Sequence, residues 1–199
     1  ISRSSPTQVG LEGNWTTDSS INMSASSTLA LKTDGTLWVW GNNGHGLTGN
    51  SNTITVSSPV QVGSLTSWYK AAIGNGYVLA IKTDGSLWAW GNTANGRLGT
   101  NDGISYSSPV QVGSDTDWAF VSGGSATSAA IKTNGTLWTW GASTDGRSGQ
   151  NITGINVSSP VQIGSLTNWA QVCAGNQHMA SVKTDGTFWV WGKGGDGRL

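Results

Sequence analysis

Residues 82–91 read Lys82-Thr83-Asp84-Gly85-Ser86-Leu87-Trp88-Ala89-Trp90-Gly91. The phrase occurs three more times, at Lys32–Gly41, Lys132–Gly141 (Asn134 for Asp) and Lys183–Gly192 (Phe188 for Leu). Asp-Gly between two apolar runs marks a β-hairpin, and the turn glycines are Gly35, Gly85, Gly135 and Gly186. Read as a two-residue type I′ turn, Asp84-Gly85 sets the register. Ile81 then stands opposite Trp88 and Leu79 opposite Trp90, and likewise Leu31 opposite Trp38. Side chains alternate faces along a strand. That register predicts a bulky face of Leu79, Ile81, Trp88 and Trp90 and a lean face of Ala80, Lys82, Leu87 and Ala89, so that bulky packs on lean between neighbouring units.

Outward from the hairpin, Trp68–Ile73 reads as a preceding strand and Pro109–Gly113 as a following one, with a Gly-rich loop before it. Pro suits an edge strand because it donates no ladder hydrogen bond. The Pro-led phrase recurs at Pro6, Pro59, Pro109 and Pro160, in step with the hairpins. The chain is therefore one unit of about 50 residues written four times, and such a period built of short strands signals propeller blades. The expected fold is all-β, a single β-propeller over residues 1–199 with about four four-stranded blades. The repeat units run approximately 6–58, 59–108, 109–159 and 160–199. The structural positions of the repeat are Trp40, Gly41, Trp90, Gly91, Trp140, Gly141, Trp191, Gly192 and the four turn glycines. All 12 Trp keep the beat, because Trp15, Trp68, Trp118 and Trp169 each open a first strand.

Charged residues make up 10% of the chain and the net charge is zero. With no run of Lys or Arg to neutralise phosphates, nucleic acid is not expected as a partner. No apolar run approaches the length of a membrane-spanning helix, so no membrane insertion is expected. The Ser-, Thr- and Asn-rich polar positions suit a virion or extracellular, cell-surface protein. Cys173 has no partner for a disulfide and reads as a small buried residue. His45 and His178 fall at different phases of the repeat and make no metal cluster. Asp34, Asp84 and Asp185 serve turn geometry. No catalytic constellation, metal site or cofactor is expected.

Some motifs resemble the regulator of chromosome condensation repeat. Gly175-Asn176-Gln177-His178-Met179-Ala180-Ser181 keeps that family's Gly and His, and Asn95-Gly96-Arg97-Leu98-Gly99 is similar to its second Gly motif. Ser27, Tyr77 and Thr127 stand where His is expected. The resemblance implies a propeller of six or seven blades, so the four units are expected to be an excerpt of a larger ring. Founding members exchange nucleotide on a small GTPase and bind chromatin, through loops and a basic surface not recognisable here. The family's plant ultraviolet photoreceptor uses clustered Trp with nearby Arg. Here Arg3, Arg97, Arg147 and Arg198 lie in loops between units, so that function is not carried over. The Ser-Ser-Pro-Val-Gln phrase looks most like bacterial and bacteriophage members.

The loops after Trp-Gly run over 42–57, 92–107 and 142–158, and within them Asn50-Ser51-Asn52-Thr53, Thr100-Asn101-Asp102-Gly103 and Asn151-Ile152-Thr153-Gly154 share no pattern beyond polarity. Rigid scaffolds carry binding on such loops. Asn50, Asn52, Asn101, Asp102, Asn151 and Thr153 are the candidate contact residues. The expected function is a non-enzymatic structural or interaction propeller with protein partners or assembly neighbours, on a phage particle or bacterial surface. The alternative is a glycan-binding propeller, for which Trp15, Trp68, Trp118 and Trp169 must be exposed. A Pro-led strand is expected at Pro6–Gly10. Its pairing with Trp189–Gly192 would mark a closed four-blade ring.

Overall fold

The structure, a computed structural model, describes residues 4–11, 13–17 and 21–199. Four antiparallel sheets follow one another along the chain. The first contains β1 (Asn22–Met23), β2 (Ser27–Leu31), β3 (Leu37–Gly41) and β4 (Val56–Gln61). The second contains β5 (Trp68–Gly74), β6 (Tyr77–Lys82), β7 (Leu87–Gly91) and β8 (Tyr106–Gln111). The third contains β9 (Trp118–Gly123), β10 (Thr127–Lys132), β11 (Leu137–Gly141) and β12 (Val157–Gln162). The fourth has three strands, β13 (Trp169–Ala174), β14 (His178–Lys183) and β15 (Phe188–Gly192). Strands pair in sequence order within each sheet, the meander of a propeller blade. The first strands of the four blades line a central cleft of about 510 Å³.

The hairpin register differs by one residue from that read in the sequence. Ile81 stands opposite Leu87, Ala80 opposite Trp88 and Val78 opposite Trp90. In the first blade Leu31 stands opposite Leu37 and Ala30 opposite Trp38. The loop has three residues, Thr83-Asp84-Gly85. The Gly85 N–H donates to Lys82 O (2.9 Å), closing a type I turn, and the Lys82 N–H donates to Ser86 O (3.1 Å). Only Gly85 has positive φ, +79°. A type I turn followed by a left-handed Gly is the usual three-residue hairpin, whereas type I′ needs positive φ at two positions. The Asp84 carboxylate fixes the choice. It accepts from the Ser86 N–H (2.9 Å) and the Ser86 hydroxyl (2.6 Å), and that hydroxyl accepts from Trp88 Nε1 (2.8 Å). The same relay runs through Asp34-Thr36-Trp38, Asn134-Thr136-Trp138 and Asp185-Thr187-Trp189.

A one-residue slip moves side chains between faces, so the bulky and lean faces are redrawn. One face of the second blade carries Leu79, Ile81, Leu87 and Ala89, and the other carries Val78, Ala80, Trp88 and Trp90. The Trp face packs on the aliphatic face of the preceding blade. Leu29, Leu31, Leu37 and Val39 cluster with Trp68, Val78, Ala80 and Trp90. Leu79, Ile81, Leu87 and Ala89 cluster with Trp118, Ala130 and Trp140. Ala129, Ile131 and Leu137 cluster with Trp169, Val172 and Met179, and Trp191 packs against them. Truncating one such buried indole to Ala costs about 3–5 kcal/mol, so the interfaces hold most of the stability.

All twelve Trp form four triads. Trp68 meets Trp88 edge-on (centroids 6.4 Å) and Trp90 at 5.9 Å, and the other three blades repeat this. The motif Lys lies between two rings of each triad, as Lys82 Nζ does at 3.4 Å from the Trp88 centroid and 5.3 Å from that of Trp68. Lys132 also pairs with Asp115 (2.6 Å) and Asp117 (2.9 Å). Burial opposes its charge, but those two carboxylates raise its pKa overall.

Residues 6–10 belong to no strand, against the expected Pro-led strand there. Among the described residues β15 pairs only with β14, and the four sheets do not close into a ring.

Candidate interaction surface

Two places on an arc of blades can meet a partner, the central cleft and the loops between third and fourth strands. The cleft is lined by Met23, Lys70, Phe120, Ser122, Gln171, Cys173 and Phe188 among others, with no carboxylate and no His among the described residues of its lining. Cys173 is exposed, contrary to the buried placement expected. It lies on the aliphatic side of the fourth blade, where no further blade covers it, whereas Ala72 at the matching place in the second blade is 1% exposed. Among the described residues no group of His, Cys, Asp or Glu is placed to hold a metal. No helix is long and apolar enough to cross a membrane among them.

Each loop folds onto the next blade. The loop bends at Gly49, Gly99 or Gly149 around the second Trp of the following blade. Trp90 Nε1 donates to Leu47 O (2.8 Å), Trp140 Nε1 to Arg97 O (2.8 Å) and Trp191 Nε1 to Arg147 O (3.1 Å). At Gly99 a Cβ would lie 2.8 Å from Trp140 Nε1, and φ is +81°, so only Gly fits. Arg97 staples two blades. Its guanidinium donates to Asn75 O (2.8 Å) of the second and Ser125 O (3.1 Å) of the third, and stands over the Tyr77 ring. Tyr77, in the place where the family's His is expected, also crosses the interface. Its hydroxyl donates to Thr127 O (3.0 Å) and lies 2.9 Å from Ser128 Oγ, which donates to Arg97 O (2.7 Å). Burial pushes the Tyr77 phenol up to about 12. His178 in the fourth blade has no such partner at Nδ1, which is buried and unbonded.

The six candidate contact residues sit on these loops. Asn52, Asn101, Asp102, Asn151 and Thr153 are exposed and Asn50 is half-buried. Four use their polar atoms to shape the loops. Asn50 bonds Gln61 O and the Gly63 N–H (2.8 and 2.9 Å). Asn52 Oδ1 accepts from the Ile54 N–H (3.1 Å). Asn101 Oδ1 accepts from Ser158 Oγ (2.6 Å) of the next blade. Asp102 accepts from the Ile104 N–H, the Thr100 hydroxyl and the Tyr106 hydroxyl at 2.7–2.9 Å. The Ile104 N–H and the two hydroxyls hold its carboxyl below the usual range. Ser51 N–H to Ser107 O (2.9 Å) and Asn156 Nδ2 to Asn95 Oδ1 (3.2 Å) join successive loops into one ridge.

The ridge carries residues that the sequence reading passed over. Ile54, Ile104 and Ile155 stand at the same phase of the repeat and are 72%, 52% and 68% exposed. The signal was present in the sequence, as an isoleucine five residues before each of Pro59, Pro109 and Pro160. By contrast Trp68, Trp118 and Trp169 are buried at 2%, 3% and 7% exposure, and Trp15 is half-buried. The glycan-binding alternative loses its best stacking platforms.

Comparison with known proteins places this geometry. No curated protein matches the chain. The yeast RCC1 protein Prp20, solved bound to Kap60, superposes with a TM-score of 0.77 at 21% identity over 87% of this chain and 43% of its own. Prp20p from Saccharomyces cerevisiae, in a study of its binding to Gsp1p and histones, superposes at 0.74 with 20% identity, over 86% of this chain and 44% of its own. Human WBSCR16 gives 0.73 at 21% identity, over 84% and 45%. The chain thus spans less than half the length of these propellers. The regulator of chromosome condensation (RCC1) repeat pattern matches residues 34–81, 84–131 and 134–182, and a second form of it matches 19–47. With repeats matched along most of its length, the chain belongs to the regulator of chromosome condensation (RCC1) repeat family.

Proposed function

We propose that the protein is a non-enzymatic interaction propeller that holds a protein partner or assembly neighbour through its loop ridge, on a virion or cell surface. The observation that carries this reading is the line of exposed isoleucines, Ile54, Ile104 and Ile155, on loops whose polar side chains hold them in shape. Isolated exposed apolar residues are ordinary on protein surfaces. Three at one phase on a continuous ridge offer anchors with a polar rim, the anatomy of a protein contact. Protein binding by RCC1-repeat relatives, such as the yeast protein solved with Kap60, supports the class of partner. The polar, weakly charged surface supports the location.

The test is a sedimentation assay with labelled chain and intact particles or cells of the source. The unsubstituted chain is expected to co-sediment. The triple variant I54D/I104D/I155D should lose at least about tenfold in affinity, a modest value for three anchors. Its melting temperature should stay within a few degrees of the parent, since these side chains are mostly exposed. Equal binding by the variant overturns the assignment of the ridge.

A further inference from the structure

The pair Asn-Gly occurs three times, at Asn75-Gly76, Asn95-Gly96 and Asn134-Gly135. In such a pair the glycine nitrogen can attack the asparagine amide carbon, because no Cβ keeps it away. The fold holds two of the pairs back. The Gly96 N–H donates to Thr93 O and the Gly135 N–H to Lys132 O, each at 2.9 Å. Asn95 Oδ1 accepts from Asn156 Nδ2 (3.2 Å), and Asn134 Oδ1 accepts from the Thr136 N–H (3.1 Å) and hydroxyl (2.7 Å). Asn75-Gly76 forms the loop between β5 and β6, with Gly74 opposite Tyr77. Neither the Gly76 N–H nor the Asn75 carboxamide has a hydrogen-bond partner among the described residues.

A cation and a base converge on this third pair. Arg97 Nη1 donates to Asn75 O (2.8 Å), the carbonyl of the Asn75–Gly76 peptide. Loss of the Gly76 N–H proton spreads negative charge onto that oxygen, where the guanidinium stabilises it. His45, from the loop between β3 and β4, covers Gly76. A Cβ built on Gly76 would lie 2.8 Å from His45 Cδ2 and 3.4 Å from its Nε2. Ala126 and Gln177 stand at the place of Gly76 in the next two blades, and Asn95 and Asp145 stand at that of His45, so the pairing occurs once. All these groups meet inside the arc, where the first, second and third blades touch.

We propose that Asn75 is a self-modification site at which His45 serves as the base. His45 takes the Gly76 N–H proton, the Gly76 nitrogen bonds to Asn75 Cγ, and the Cγ–Nδ2 bond breaks. Ammonia leaves with the proton that His45 returns. Water then opens the succinimide at either carbonyl, leaving aspartate or isoaspartate at position 75 with no change of oxidation state. Either product sets a carboxylate beside the peptide that Arg97 holds, and isoaspartate lengthens the main chain by one carbon. The Asn75 N–H donates to Gly124 O (3.1 Å), so the change falls on a contact between the second and third blades. The site lies apart from the isoleucine ridge and does not rest on it.

The test follows the folded chain over time in mildly alkaline buffer, beside a sample unfolded in urea. Trypsin cuts after Lys70, Lys82, Arg97, Lys132 and Arg147, so each Asn-Gly pair falls in its own peptide, 71–82, 83–97 or 133–147. Mass spectrometry reads the amide-to-acid shift in each peptide and places it by fragmentation. In the folded chain Asn75 should convert about tenfold or more faster than Asn95 and Asn134, and the difference should vanish in urea. His45→Gln, at an exposed position, should slow Asn75 about tenfold or more, with Asn95, Asn134 and the melting temperature unmoved. Equal conversion at the three sites in the folded chain overturns the proposal. So does an unchanged Asn75 rate in His45→Gln.

Discussion

At the scale of single residues, the three Trp of a blade do different work. Trp90 is fully buried and donates to Leu47 O. Trp68 is almost as buried, yet its indole N–H, like those of Trp118 and Trp169, has no acceptor. An unmade buried bond costs about 1–3 kcal/mol. Trp90→Phe should therefore destabilise by about 1–3 kcal/mol more than Trp68→Phe, because the first orphans a carbonyl and the second removes an orphan. Urea midpoints of the two variants check this, and equal losses would contradict it. Tyr77 gives a pH test. Its phenol, ordinarily at 10.0, is held neutral in the fold up to about 12 by burial. The unfolded chain ionises first, so this stabilisation is complete below pH 10 and is lost as pH rises from 10 towards 12. The melting temperature should fall across that window, and less steeply in Tyr77→Phe. That variant should itself lose about 0.5–1.5 kcal/mol at neutral pH, the net worth of the hydroxyl's bond to Thr127 O, which keeps the Gly124 N–H as a partner.

At the scale of the element, the hairpin decides the blade. Four copies of one phrase made the strands and their order legible, since Gly, Pro and the alternation of apolar residues mark every boundary. The register was not legible from Asp-Gly alone. That pair sits equally well in a two-residue loop or at the end of a three-residue one. The preference came from Asp84 reaching forward to Ser86, and from Ser86 in turn accepting from Trp88. Both partners lie two residues apart, a spacing visible in the sequence but carrying no signal until the turn is built. Deleting Ser86, with the three-residue loop kept, would put Lys82 opposite Leu87 and Ile81 opposite Trp88, sliding β7 against β6 by one residue. Trp88 and Trp90 would then share a face with Leu79 and Ile81, and both interfaces of the second blade would be mispacked. The deletion should abolish the cooperative thermal transition of the chain. A transition within a few degrees of the parent would show that the blade does not depend on this register.

At the scale of the molecule, stacking makes four weak sheets into one body. Each blade covers the aliphatic face of its predecessor with Trp and takes an indole bond from it, so no blade is complete alone. That logic also explains what the sequence could not show about the surface. Cys173 looked like a core residue because its strand is a core strand, and it is exposed on the aliphatic face of the fourth blade. The contact loops were legible as loops. Their order, held by Asn50, Asn52, Asn101 and Asp102, depends on contacts with the next blade that no local pattern announces. The central claim is that the blades are clamped by each second Trp donating to the loop before it. Hydrogen exchange of the indole N–H groups, followed by two-dimensional NMR at neutral pH, tests it directly. The account predicts that the Trp90 and Trp140 indoles exchange only through global unfolding, at a rate set by the stability of the whole chain. Exchange of either on the timescale of an exposed indole, with the chain still folded, would contradict it.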